Sequence, residues 1–512
     1  MSDSTAESQP LYEARKKTFP KRAHGRFRTL KWWIMGVTLA IYYVTPFLRW
    51  DRGPFAPDQA VLIDLANRRF YFFFVEIWPQ ELFVIAGLLI MAGVGLFLIT
   101  SVLGRAWCGY TCPQTVWVDL FLMVERWVEG DRNARIRLDR APLGFDKLWR
   151  RTTKHGIWLL IGLATGGAWV LYFADAPSLI DDLVHFDAAY QAYVAIGVLT
   201  FTTYTFGGHM REQVCIYMCP WPRIQSAMTD ENSLTVTYRD WRGEPRGKKG
   251  KPFEAPPDDA MRPRVLPDLA GGFGPAAQTG EAVDTSRRGD CVDCGLCAAV
   301  CPMGIDIRDG QQLACISCAL CIDACDGVMA KVGRPQGLIA YDTLNNDKAR
   351  ATGEGRVRTY PWIRVRTFVY ALIWGAAGLA ILAYLGLRDR LDVNVIHDRN
   401  PVAVTLSDGR IRNGFTVKIL NMMPEPRTFS LSVEGLDPAS EIWLGRESGI
   451  VRQPGEAFTI DIGPDRLEQV RMFITVDPTT LSEAATPFEI RVSDVDGSES
   501  DVYDALFESG RH

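Results

Sequence analysis

Histidine is scarce in this chain, six in 512 residues, and cysteine is confined, since none of the 12 lies after Cys325. With so few histidines and no nucleophile–histidine constellation, hydrolytic acid–base catalysis is not expected. No G-x-G-x-x-G stands between a strand and a helix, which speaks against a nicotinamide or flavin site of the Rossmann type. An excess of positive charge is missing too. Lys+Arg is 56 against Asp+Glu 60, a formal net charge of −4, whereas a nucleic-acid binder would be basic with clustered Lys and Arg. The hydrophobic share of 47% excludes a largely disordered chain. The cysteines are too sparse for a disulfide scaffold. What they have is regular spacing.

Five stretches lack Asp, Glu, Lys and Arg altogether: 32–48, 82–100, 156–174, 188–208 and 367–387. Each approaches the roughly 20 apolar residues that cross a bilayer core, and an ionised residue at mid-span would cost about 2.5–3.5 kcal/mol. Five transmembrane helices are therefore expected. The first is no cleaved signal, because Pro46, Phe47, Leu48 and Arg49 stand where small residues would mark a cleavage site. Basic residues cluster before the first span (Arg15, Lys16, Lys17, Lys21, Arg22) and in the 101–155 loop (Arg132, Arg135, Arg137, Arg140), while 175–187 carries only Asp175, Asp181, Asp182 and Asp187. By the positive-inside rule the N-terminus is cytoplasmic. Residues 209–366 are then cytoplasmic, and 388–512 lie on the far side.

Residues 240–290 read as a linker with a basic cluster, Lys248, Lys249 and Lys251, followed by the Pro- and Gly-rich run Pro252 to Gly280. The cluster suits a solvated positive-inside determinant, with contact to anionic lipid as the alternative. Gly162 and Gly166 form a G-x-x-x-G pair compatible with close helix packing. The C-terminal part alternates apolar with polar or small residues in 415–420, 429–433, 458–462, 470–476 and 488–492, with turn signals such as Asp408-Gly409 and Gly463-Pro464 between them. Period two with regular turns predicts an all-β, immunoglobulin-like sandwich, although the Cys…Trp…Cys framework of a true immunoglobulin domain is absent.

The strongest chemical signal is Cys291-x2-Cys294-x2-Cys297-x3-Cys301, repeated as Cys315-x2-Cys318-x2-Cys321-x3-Cys325. This is the pattern of bacterial ferredoxins with two clusters, in which the fourth cysteine of each motif ligates the other cluster. Cys291, Cys294, Cys297 and Cys325 are expected to hold one [4Fe–4S] cluster, and Cys315, Cys318, Cys321 and Cys301 the other. Structural zinc sites would want ligands in two pairs, and disulfides are disfavoured in the cytoplasm. The second motif ends Cys325-Asp326 where simple ferredoxins have Cys-Pro. Such clusters pass single electrons, so the expected function is electron transfer.

Four cysteines remain. Cys108 and Cys112 follow the second apolar stretch, and Cys215 and Cys219 follow the fourth, each pair as C-x3-C-P. On a helix, residues i and i+4 share a face. If the second and fourth helices are neighbours, four sulfurs converge on a candidate copper, iron or third iron–sulfur centre, since soft thiolates suit all of these. A redox dithiol pair and plain packing are the alternatives. His209, Met210 and Met218 are weaker candidate ligands. His185 and the Met422-Met423 pair could meet copper outside the membrane, but a surface histidine and two core methionines are the plainer account.

At this point the chain resembles the CcoG family, also called FixG or RdxA, accessory proteins of cbb3-type cytochrome c oxidase assembly. The resemblance rests on Arg105-Ala-Trp-Cys-Gly-Tyr-Thr-Cys-Pro-Gln-Thr115, Met210-Arg-Glu-Gln-Val-Cys-Ile-Tyr-Met-Cys-Pro220, Arg242-Gly-Glu-Pro-Arg-Gly247, Gly304-Ile-Asp-Ile-Arg-Asp-Gly310 and Cys321-Ile-Asp-Ala-Cys-Asp326. In that family the Cys-Asp ending is usual. The resemblance implies a cupric reductase in the bacterial inner membrane, with two [4Fe–4S] clusters as cofactors and copper as substrate. Electrons would run from a cytoplasmic donor or a quinol to copper at or near Cys108, Cys112, Cys215 and Cys219. Implied partners are oxidase assembly factors or copper chaperones, with membrane lipid around the spans and no nucleic acid. A quinol-oxidising relay like NapH and a non-catalytic assembly scaffold are the competing readings; the outer sandwich and the Arg242–Gly247 string favour the first. The expected order is a basic tail (1–31), a four-helix transmembrane domain (32–208), a cytoplasmic linker (209–286) and a two-cluster α+β ferredoxin domain (287–345). A second linker (346–366), a fifth transmembrane helix (367–387) and a periplasmic immunoglobulin-like sandwich (388–512) complete it.

Overall fold

The computed structural model describes residues 17–247, 289–353, 357, 363–445, 450–481, 484–497 and 499–509. Arg15, Lys16, the Lys248–Lys251 cluster and the Pro252–Gly280 run lie outside the described residues. Helix α1 (Arg26–Val44) precedes a three-stranded sheet in the order β1 (Val61–Asp64), β2 (Arg69–Phe72), β3 (Val75–Ile77), and then α2 (Leu82–Leu103). Next come α3 (Pro113–Glu129), α4 (Arg132–Arg140), α5 (Phe145–Val170), α6 (Ala176–His185), α7 (Tyr190–Thr203) and α8 (Trp221–Met228). Strand β4 (Thr235–Tyr238), a turn of helix α9 (Asp240–Gly243), α10 (Leu296–Val300), α11 (Leu320–Val332), β5 (Ile339–Asp342), α12 (Leu344–Thr352) and α13 (Val365–Leu387) complete this part.

All five charge-free stretches are mainly helical, within α1, α2, α5, α7 and α13. By length and composition, two helical segments among the described residues could cross a membrane, Pro79–Leu103 and Val365–Leu387. The others fall short for visible reasons. Helix α1 opens with Arg26, Arg28 and Lys31, α5 is charged up to Lys154, and α7 has 14 residues. They still turn large apolar side chains outward, among them Trp33, Ile41, Leu160 and Phe201. Helices α2 and α13 lie together, with Ser101 Oγ 2.7 Å from Thr367 Oγ1 and Phe97 stacked on Tyr370. Helix α5 packs on α7 at the G-x-x-x-G pair. A Cβ on Gly162 would stand 3.1 Å from the Thr200 carbonyl oxygen, and one on Gly166 2.8 Å from that of Ile196.

Residues 209–247 are not a loose connector. Strand β4 pairs antiparallel with β5, Val236 opposite Tyr341, so this stretch forms one side of the ferredoxin fold. The reason is burial: Val236 and Tyr238 join Ile307, Ile322, Met329 and Ile339 in one core.

The described residues divide into two compact units, and residues from Ile381 onward belong to the second. There, β6 (Leu391–His397), β7 (Ala403–Thr405), β8 (Ile411–Asn421), β9 (Arg427–Glu434), β10 (Glu441–Gly445), β11 (Val451–Arg452), β12 (Phe458–Ile462), β13 (Leu467–Val476), β14 (Ala485–Asp494) and β15 (Ser500–Glu508) form two sheets. One runs β11-β10-β13-β8-β6 with β7 also on β8; the other runs β12-β9-β14-β15. Alternate residues such as Val417, Ile419, Leu431, Val433, Ile474 and Ile490 fill the space between them, as period two requires.

Candidate metal centre

The two C-x2-C-x2-C loops share one backbone course. Asp293 and Gly295 have φ of 50° and 65°, and Ser317 and Ala319 have 54° and 60°. The residues flanking the middle cysteine are thus left-handed in both motifs, a course that costs about 1–3 kcal/mol at each non-glycine and persists at functional sites. It carries the first two cysteines of each motif up to the helix whose first turn holds the third, Cys297 in α10 and Cys321 in α11. Cys291, Cys294, Cys297 and Cys325 line one cavity of about 330 Å³. Cys301, Cys315, Cys318 and Cys321, with Cys297 at the edge, line another of about 370 Å³. The remaining walls are mostly apolar: Val292, Val328, Met329 and Leu338 around the first, and Val236, Met303, Ile305 and Leu320 around the second.

Burial pushes the Cys301 and Cys325 thiols up to about 12 and that of Cys297 to about 11. Thiolates in such surroundings need a cationic guest to exist at neutral pH. None of the twelve cysteines is in a disulfide. Among the described residues no three of His, Cys, Asp and Glu are drawn together as a single-ion site. Eight soft donors spread around two mostly apolar cavities fit two iron–sulfur cubanes.

The cavities differ in their surroundings. Beside the first, Arg308 donates to Asp306 (Nε to Oδ1, 2.9 Å) and to Asp293 (2.6 Å), which keeps its guanidinium charged, and Cys294 is exposed. Asp326, which stands where simple ferredoxins have proline, accepts the backbone N–H of Gly337 at 2.8 Å and ties the middle of α11 to the approach to β5. Arg242 donates from Nε to Asp290 at 2.6 Å and from Nη1 to the Gln336 carbonyl at 3.0 Å, and the Gly247 N–H donates to the Cys291 carbonyl at 3.1 Å. That string clamps the chain entering the first motif. The second cavity abuts the first C-x3-C-P. A Cβ on Gly109 would lie 2.7 Å from the Ile316 carbonyl oxygen, and Tyr110 donates to the Cys318 carbonyl at 3.3 Å. Arg105, buried, donates to the Cys315 carbonyl at 3.0 Å and to that of Pro222 at 2.8 Å.

The C-x3-C-P pairs are not on regular α-helix. Each sits on a π-helical turn, Trp107–Thr111 and Val214–Met218. The second cysteine closes the turn, with the N–H of Cys112 to the Trp107 carbonyl (2.9 Å) and that of Cys219 to Val214 (2.8 Å). Such turns are frequent at functional sites. Nor do α2 and α7 bring the pairs together, since α2 lies against α13 and α8, and α7 against α5. The link forms beyond the helix ends, where Gln114 Nε2 donates to the Phe206 and Arg211 carbonyls. The four thiols are electrostatic neighbours. Burial first, then Cys112, Cys215 and Cys219, push Cys108 up to about 12 against the pull of Arg105, and burial with Cys112 and Cys219 does the same to Cys215. Cys108 donates at 3.1 Å to Oε1 of the buried Gln225, whose Nε2 donates to Thr100.

The weaker candidates lie elsewhere. His209 stacks on His155 with ring centroids 5.5 Å apart, Met210 is half-buried and Met218 is exposed. His185 is exposed and bonds the Asp181 carbonyl within α6. Met422 and Met423 are half-buried in the β8–β9 turn, not in the core, and Met423 Sδ accepts from Arg390 at 3.0 Å. A buried charge network went unread in the sequence. Glu125 takes Arg135 and Arg211, and Lys154 bridges Glu125 (3.7 Å) and Glu129 (3.0 Å). Its only sequence signal is the Glu125–Glu129 spacing on the inner face of α3.

Three family models match the chain. One described as an IG-like fold at the C-terminal of FixG matches residues 381–510, and one described as a 4Fe-4S dicluster domain matches 210–261 and 275–344. One described as a 4Fe-4S binding domain matches 83–130, which takes in Cys108 and Cys112. The nitrogen fixation protein FixG of Rhizobium meliloti is 55% identical over 97% of this chain and 94% of its own. Protein RdxB of Cereibacter sphaeroides is 50% identical over 99% of both chains, and protein RdxA of the same organism 48% over 96% of both.

Proposed function

Because the chain belongs to the FixG/RdxA/CcoG family of iron–sulfur electron-transfer proteins, we propose that it reduces Cu(II) to Cu(I) for assembly of a cbb3-type cytochrome c oxidase. Bound cubanes supply one-electron transfer, which matches the single electron that separates Cu(II) from Cu(I). Cys291, Cys294, Cys297 and Cys325 hold one, and Cys301, Cys315, Cys318 and Cys321 the other. Cys108, Cys112, Cys215 and Cys219 form the soft thiol set at or near which copper is reduced, and thiolates favour the reduced ion.

The observation that carries this reading is the seat of Gly109 and Tyr110 on the Cys315–Cys318 loop. It sets the membrane-side thiols directly behind one cysteine cavity, while Cys294 of the other faces solvent. Arg105 holds the two parts in register, and Gln225 orients Cys108. On this reading α1, α2, α5, α7 and α13 span the inner membrane, with the ferredoxin part cytoplasmic and the sandwich periplasmic, where it meets assembly factors or copper chaperones. The outward Trp33, Leu89, Leu160, Phe201 and Leu379 support five spans, since soluble surfaces rarely carry such bands.

The test is anaerobic. The reduced holoprotein should be reoxidised by Cu(II), with Cu(I) appearing in step. Replacing all four of Cys108, Cys112, Cys215 and Cys219 by Ser should abolish that reaction and leave the cubane spectrum intact. An unchanged rate would remove these thiols from the mechanism.

A further inference from the structure

A third cavity is larger than either ferredoxin cysteine cavity. It lies between Cys215 and the second of them, and Met303, Ile316 and Leu320 line both. One wall is apolar, with Val118 and Leu122 of α3 facing those residues. The other is charged. Lys31 of α1 and Asp119 of α3, each 3% exposed, line it with Arg126, Arg211 and Glu212. Asp119 Oδ1 accepts from Arg28 at 2.8 Å, but its Oδ2 has no partner, nor has Arg126 Nε. A buried carboxylate oxygen and a buried guanidinium N–H with no protein partner leave this wall able to pair with a polar group.

The guest's chemistry follows from the walls. Three cationic side chains against two carboxylates repel a metal ion. A nicotinamide or flavin would need a phosphate-binding loop that the sequence lacks. A flat apolar ring with a hydroxyl at its edge suits these walls: Leu122 and Ile316 would face the ring, and Asp119 Oδ2 would accept from the hydroxyl. From Lys31 the chain enters the apolar part of α1 at Trp32 and the exposed Trp33, which gives an isoprenoid tail a path into lipid.

We propose that this cavity binds a membrane hydroquinone, the electron donor for copper reduction. The proposal rests on the iron–sulfur part of the reading above. The hydroquinone breaks two O–H bonds and becomes a quinone, releasing two electrons and two protons. Two Cu(II) ions take the electrons and become two Cu(I). The protons pass to the carboxylates of Asp119 and Glu212 and from them to water. Lys31 and Arg126 stabilise the oxygen as it loses its proton.

The test uses the whole holoprotein in nanodiscs, oxidised and anaerobic, with a short-chain hydroquinone as the probe. The cubane absorbance should bleach. Asp119→Asn and the cavity-filling Val118→Phe should each slow bleaching at least tenfold while dithionite still bleaches them fully, which shows that the clusters are intact. A photoreactive azido-quinone should label the 118–126 segment even in protein stripped of iron, with excess unlabelled quinone protecting it. Wild-type protein left unbleached and unlabelled, or variants that bleach at the wild-type rate, would overturn the proposal. Reoxidation by Cu(II) after dithionite is scored separately. If it succeeds while the hydroquinone fails, copper reduction stands and the donor site falls; if it fails while the hydroquinone works, the reverse holds.

Discussion

The two ferredoxin cysteine cavities are written in the same motif and built on loops of the same left-handed course, yet they occupy different worlds. The first reaches solvent through Cys294 and is trimmed by a local cation, Arg308, held by Asp293 and Asp306 within its own domain. The second is closed by another part of the chain: Gly109, Tyr110 and Arg105 all come from the segment after α2. Identical ligands therefore do not imply equivalent roles. One cavity opens toward solvent, and the other is covered by the segment after α2.

The largest effect should come from breaking that closure. Gly109→Val would drive a side chain into the Ile316 carbonyl. The loop would have to move, at a cost of about 1–3 kcal/mol for overpacking. We expect the paramagnetic signal of the second centre to be lost or altered, that of the first to persist, and copper reduction to stop. The matched control is Gly327→Ala on α11, where an added Cβ meets nothing. It should leave both signals unchanged and stabilise the helix slightly. Equal damage to both signals by Gly109→Val would show that the cavities are not independent.

A subtler probe uses the two arginines. Removing a charged partner from a buried centre is worth about 1.5–3 kcal/mol, and for one electron a tenfold change is about 59 mV. Arg308→Gln should lower the potential of the first centre by roughly 60 mV or more and spare the second. Arg105→Gln should do the opposite. Arg105→Lys restores charge without the planar fork, so a recovered potential with poorer copper reduction would separate electrostatics from positioning. Redox titration followed by paramagnetic resonance reads all three. If both substitutions shift both centres alike, the contrast between the cavities fails.

Much of this was legible in the sequence because it is periodic. The three-plus-one cysteine register anticipates which four sulfurs share each cavity, and alternation anticipates strands β8, β9, β12, β13 and β14. What escaped is long-range. Nothing local says that Asp326 will meet the Gly337 N–H, that Gln225 will take the Cys108 thiol, or that residues 235–238 will pair with 339–342 across a gap of a hundred residues. The i, i+4 argument for C-x3-C-P brought each pair onto one turn but mistook its kind, because a local rule cannot foresee a π-turn closed by the residue before proline. The charged cavity wall was hidden for a related reason. Lys31, Asp119 and Arg126 look like ordinary flanking charges until the fold buries them together.

The smallest predicted effect tests how the membrane-side helices are anchored to the ferredoxin part. The first turn of α1 has no cap of its own. Its cap is borrowed from the second cysteine motif, where the Asp323 carboxylate accepts the backbone N–H groups of Phe27 (3.2 Å) and Arg28 (2.7 Å). The approach is so close that a Cβ on Gly25 would stand 2.3 Å from Asp323 Cγ. A capping carboxylate satisfies orphan donors and faces the positive end of the helix dipole, together about 1–2 kcal/mol. Asp323→Ala should therefore lower the temperature at which α1 separates from the ferredoxin part, read as earlier loss of cluster absorbance on heating in detergent, without a change in either potential at 25 °C. Asp323→Asn keeps an acceptor oxygen and should recover about half of the loss. If Asp323→Ala instead moves a potential, the residue acts on the centre between Cys321 and Cys325, and the cap is incidental to that role.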